Sequence, residues 1–92
     1  MSHTPGPWIA TGFKNTVVND SQGNTIALHP SHDGSVENAI ANARLIAAAP
    51  DLLECAMALA VVIAENRVVE SERSQLLEMC RAAIAKATGV QQ

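Results

Sequence analysis

Pro50 is the residue that most limits how this chain can fold. An otherwise helical pattern runs on both sides of it, from Ser35 to Ala64. A proline lacks the N–H that a helix interior must donate, yet its ring suits the first turn of a new helix. The pattern therefore divides at about Ala48 to Ala49. Ser35 is placed to cap the first helix, Glu37 meets the positive end of its dipole, and Val36, Ala39, Ile40, Ala43, Ile46 and Ala47 fall on one face. The second helix begins with Asp51 and continues through Leu52, Leu53, Met57 and Leu59 to Ile63. It is apolar almost all round, with acids only at its ends, so sheet, neighbouring helix or a second copy is expected to cover most of it.

Asn66 to Glu70 read as a turn, and Ser71 as the cap of a third helix. In that helix Leu76, Cys80, Ala83 and Ala87 share a face, Lys86 lies near the end and Gly89 just beyond it. The last two helices then form an antiparallel hairpin, and two such hairpins can pair as a four-helix bundle. Ahead of Ser35 the period is that of strands. Pro5-Gly-Pro7 blocks a helix, Trp8 to Thr11 offers a strand, and Thr16–Asn19 and Asn24–Leu28 flank the turn Asp20-Ser-Gln-Gly23. Gly12 to Asn15 closes an earlier turn, and His29 to Gly34 leaves the sheet. The fold class is α+β, a short N-terminal antiparallel β-meander of two to three strands followed by three α-helices. Residues 1–92 make one domain, with meander and loop over 1–34 and the helical part over 35–90.

Charge narrows the functional classes. Six Lys and Arg stand against nine Asp and Glu, a net of −3. Gripping nucleic acid through many phosphates needs clustered cations, so no strong direct binding to it is expected. Cys55 and Cys80 sit in apolar helical repeats, where a free thiol behaves as a small hydrophobe. Without a secretory signal or a cysteine-rich framework, a reducing cytoplasm is the expected home, although a disulfide between the two helices is geometrically open. The longest uncharged helical run, Cys55 to Ala64, is too short for a membrane span of about 20 residues.

Few residues in the chain point to chemistry. There is no Gly-rich phosphate loop, no HExxH helix, no paired-cysteine zinc signature and no Gly-x-Ser-x-Gly elbow. His29, His32 and Asp33, with His3 as an outlier, form the best metal candidate, but they lie in a loop without the spacing that fixes ligand geometry, and a solvated turn is the better reading. No catalytic residue, metal or cofactor is expected, and the chain is not read as an enzyme. Asn38, Asn42 and Arg44 form the one polar cluster with directional capacity, on or beside the first helix. Against it stands a packing role, in which Arg44 lies along the sheet edge or pairs with Asp51 or Glu37. Lys14 and the loop around His32 are the next binding candidates.

Two stretches carry a resemblance. His3-Thr-Pro-Gly-Pro-Trp8 and Asn42-Ala-Arg-Leu-Ile-Ala-Ala-Ala-Pro-Asp-Leu-Leu-Glu54 resemble small accessory proteins of tailed phages and prophages, in which a Gly-Pro-Trp start and an ANARLIAAAP(D/E)LLE junction recur over roughly the first 55 residues. The resemblance implies a counter-defence protein that binds and inhibits a bacterial host protein or immune complex, with anti-CRISPR activity as its sharpest form. It would act in the host bacterial cytoplasm, without a membrane, and the almost wholly apolar second helix adds the expectation of a homodimer through the apolar helices. An oligomeric sponge for a nucleotide immune signal, built around Arg44, is the alternative, and a structural or regulatory phage module is the third.

Overall fold

The computed structural model describes residues 3–31, 33–65 and 70–89. Three strands, β1 (Ile9–Thr11), β2 (Val17–Asn19) and β3 (Thr25–Leu28), form one antiparallel sheet in the order β1-β2-β3. Three helices follow, α1 (Val36–Ala47), α2 (Ala49–Ala64) and α3 (Glu70–Thr88). This is the α+β order expected, with the last two helices antiparallel.

Asp20 shapes the β2–β3 turn. Its Oδ1 accepts the backbone N–H groups of Gln22 at 2.9 Å and Asn24 at 2.8 Å, while Gly23 takes φ 87°. Left-handed backbone of that kind costs glycine little. The register then shifts, since Val18 faces Ala27 but Asn19 faces Thr25. Ile26 is the extra residue, and the bulge lets both Ile26 and Ala27 pack towards the core.

Strand alternation decides which face is covered. Val18 is wholly buried, whereas its neighbours Val17 and Asn19 are only partly so. Val18 meets Ala43 and Ala47 of α1, with Trp8 and Ala10 packed around them. The face of α1 is built of Ala39, Ala43 and Ala47, all buried, and alanines at four-residue spacing let helix and sheet approach closely. Ser35 caps α1 as expected, its Oγ accepting the Asn38 N–H at 3.2 Å.

The proline acts as its chemistry requires. Ala48 separates α1 from α2, the two axes differ by 43°, and Pro50 lies in the first turn of α2, where its missing N–H has no partner to lose. Helix α2 starts at Ala49, two residues ahead of Asp51. The Gly6 backbone sits against the Pro50 ring, so that a Cβ at Gly6 would lie 2.8 Å from Pro50 Cβ. The N-terminal Gly-Pro-Trp segment and the helix junction thus meet in space. Helix α3 already includes Glu70, which puts Ser71 inside the first turn instead of at the cap. The expected turn at 66–69 lies outside the described residues.

Two features of the hairpin depart from expectation. Cys55 and Cys80 are joined in a disulfide between α2 and α3, with their Cα atoms 5.6 Å apart. The free-thiol reading is therefore corrected: facing positions on antiparallel helices bring the sulfurs together. A second tie links the same helices nearby, where Lys86 Nζ donates to Asp51 Oδ2 at 2.8 Å. The second departure is coverage. Only Pro50 and Cys55 of α2 are buried, and Ile63, Met57, Val61 and Leu53 are exposed. The radius of gyration is 15.1 Å, against about 12 Å for a compact chain of this length. The molecule measures 45 × 31 × 21 Å, so it is elongated. Among the described residues no single helix is long and apolar enough to cross a membrane; α1 and α2 pass that test only as a bent pair.

Candidate binding surface

The polar candidates on α1 are engaged in holding the fold. Asn38 Nδ2 donates to Asp33 Oδ2 at 2.8 Å, and Asn42 Nδ2 donates to the Pro30 carbonyl at 2.6 Å. Both amides therefore tie the loop after β3 onto α1. Asp33 is the centre of that loop: its Oδ1 also accepts the Ser31 hydroxyl at 2.6 Å and the Ser35 N–H at 2.9 Å. The Ser31 hydroxyl, then the Ser35 N–H and the Asn38 amide, hold its carboxyl below the usual range despite some desolvation. Asp33 consequently serves as a loop clamp, and among the described residues no three His, Cys, Asp or Glu side chains converge as metal ligands. His32 lies outside the described residues. His3 is packed edge-on to the Trp8 ring, with centroids 6.3 Å apart.

Arg44 takes neither of the pairings considered from sequence. Asp51 is held by Lys86, and the Arg44 guanidinium lies over Gly89, just past the end of α3, where a Cβ would be 2.8 Å from its Cζ. Gly89 has φ 74° and donates its N–H to the Ala85 carbonyl at 2.8 Å. A cation at that end complements the negative pole of the helix.

Lys14 is placed differently. It belongs to a short 3-10 turn, Phe13–Asn15, that joins β1 to β2 and is exposed throughout. Its Nζ lies 5.5 Å from the centroid of the Phe13 ring, and Phe13 is itself 67% exposed. The backbone at Lys14 and Asn15 is left-handed, with φ 50° and 59°. Non-glycine residues held there are uncommon and need support from their surroundings. The support is Thr16, which is buried: its hydroxyl donates to the Phe13 carbonyl at 2.6 Å, and its own carbonyl accepts the His29 N–H at 2.9 Å. The same bonds join the turn to the end of β3, where Leu28 is 73% exposed. One end of the sheet thus presents Phe13, Lys14 and Leu28 on a hydrogen-bonded frame. Lys14 is the sequence candidate that this frame includes. Phe13, Leu28 and Thr16 were missed, and the available signal was the chain's single phenylalanine lying in a polar turn.

The comparison with known families follows from residues well beyond any one motif. A family model described as Salmonella phage P22 protein Y8K6 matches residues 1–91. The chain belongs to that family. Membership of the P22 Y8K6 family supports a phage origin and takes in the sheet end as well as the helical hairpin. No curated protein and no solved structure matches the chain.

Proposed function

We propose that this member of the P22 Y8K6 family is a non-enzymatic binding protein that inhibits a bacterial immune protein or complex, in the manner of an anti-CRISPR. The observation that carries the reading is the exposed Phe13 beside Lys14, on a turn whose Thr16 also bonds the end of β3 next to the exposed Leu28. An aromatic side chain with few rotors, held out by a rigid backbone, loses little entropy when it enters a pocket on a partner. Lys14 adds a cation at the rim, which suits an acidic surround on the target and speeds encounter. Phage origin makes a host defence component the natural target class. A nucleotide sponge gains no support from Arg44, whose guanidinium is packed against Gly89 at the end of α3.

The test is infection. Cells carrying a defined immune system and expressing the protein should plate phage at the efficiency of immune-deficient cells. Phe13→Ala combined with Lys14→Glu should restore immunity while the circular dichroism spectrum is unchanged, since both residues are exposed. Full protection of the phage by the double variant, or no effect of the unmodified protein across a panel of immune systems, contradicts the reading.

A further inference from the structure

The two broad sides of the α2–α3 hairpin differ in chemistry. On one side the groove between the helices is lined by Ala58, Val61, Val62, Leu76 and Met79 but also carries Glu72 and Gln75, and towards the start of α2 it carries Asp51, Glu54 and Lys86. On the other it is lined by Leu59, Leu76, Leu77 and Cys80, with Arg73 at its rim. Helical spacing extends that second side: Ile63 follows Leu59 by one turn, and Ile84 follows Leu77 by two. All four of these large aliphatic residues are exposed, Ile63 at 75%.

We propose that this apolar side is a homodimer interface, on which the hairpin of a second copy packs face to face across a two-fold axis to complete a four-helix bundle. The area fits that occupant. Helix α2 has 16 residues, so it is about 24 Å long, and two helices side by side are roughly 20 Å wide, giving about 500 Å² in projection per copy. The pair reaches about 1,000 Å², the threshold that a specific interface has to clear. The hairpin also lacks an interior of its own, since Cys55 and Ala83 are its only buried residues beyond Pro50 among those described. A two-fold contact is self-complementary, so an aliphatic face needs only its own copy to be covered. That copy is present wherever the chain is made, whereas a host target is not. The elongation of the single chain fits an incomplete bundle. The sheet end bearing Phe13 is a separate surface, and the dimer stands whether or not that surface finds an immune target.

The full chain should sediment at equilibrium with twice its 9.7 kDa mass. Ile63→Glu and Leu77→Glu should each bring the mass down to that of one chain with helical circular dichroism retained. Met57→Glu, whose position on α2 points away from this side, should leave the dimer intact. A chain that is monomeric throughout the micromolar range overturns the proposal. So does a dimer that survives both Ile63→Glu and Leu77→Glu, a dimer dissociated by Met57→Glu, or an assembly larger than two.

Discussion

At the scale of single residues, two carboxylates organise the connections that sequence reading treats as simple turns. Burial raises the Asp20 carboxyl, but the backbone N–H groups of Asn24, Gln22 and Gly23 and the Asn24 amide outweigh it and lower the pKa. Asp33 is lowered through Ser31, Ser35 and Asn38. A folded-state pKa below the unfolded one means that the proton binds the unfolded chain more readily. The associated stability is present above the ordinary Asp value of about 3.9 and is lost as pH falls through the lower folded value. Denaturant midpoints should therefore be flat with respect to these groups near neutral pH and fall below about pH 4, and Asp20→Asn with Asp33→Asn should flatten that fall. An unchanged acid limb in the double variant contradicts these roles. The Asp20 turn is legible in sequence because aspartate and glycine at that spacing have a local mechanism. The role of Asn38 and Asn42 is not, because their acceptors, Asp33 and Pro30, are set by how the loop folds back on α1.

At the scale of elements, the helix break was readable and the covering of α2 was not. Pro50 forbids continuation by local chemistry alone, and the structure divides α1 from α2 at Ala48. What surrounds α2 depends on partners distant in sequence, and its apolar pattern is equally compatible with sheet, helix or a second copy. The disulfide is the element-scale tie that this sparse packing leaves most prominent. It closes a loop with a sequence separation of 25, which corresponds to about 3.5 kcal/mol in the chain-entropy account. The main core, Val18 with Ala43 and Ala47, lies elsewhere. Reduction should therefore lower the stability of the hairpin by about 3.5 kcal/mol, seen as faster amide exchange in α2 and α3, while β2 and α1 keep their protection. Equal loss of protection in β2 would show that hairpin and sheet unfold as one unit.

At the scale of the whole molecule, the chain is an α1-backed sheet with a helical hairpin extending from it, and exposed apolar residues lie at both places. Phe13, Lys14 and Leu28 occupy the end of the sheet, and Ile63 and Leu77 a side of the hairpin. The fold class and the order of elements follow from the change of period at Ser35, but the sheet-end surface depends on Thr16 holding a turn to β3, a contact no spacing rule reveals. Target binding through that surface is open to affinity purification of the tagged protein from a lysate of defence-carrying cells, with the recovered proteins identified by mass spectrometry. The unmodified chain should bring down a stoichiometric immune protein or complex, and Phe13→Ala with Lys14→Glu should lose it. Recovery of the tagged protein without such a partner, or of the same partner with the double variant, would contradict it.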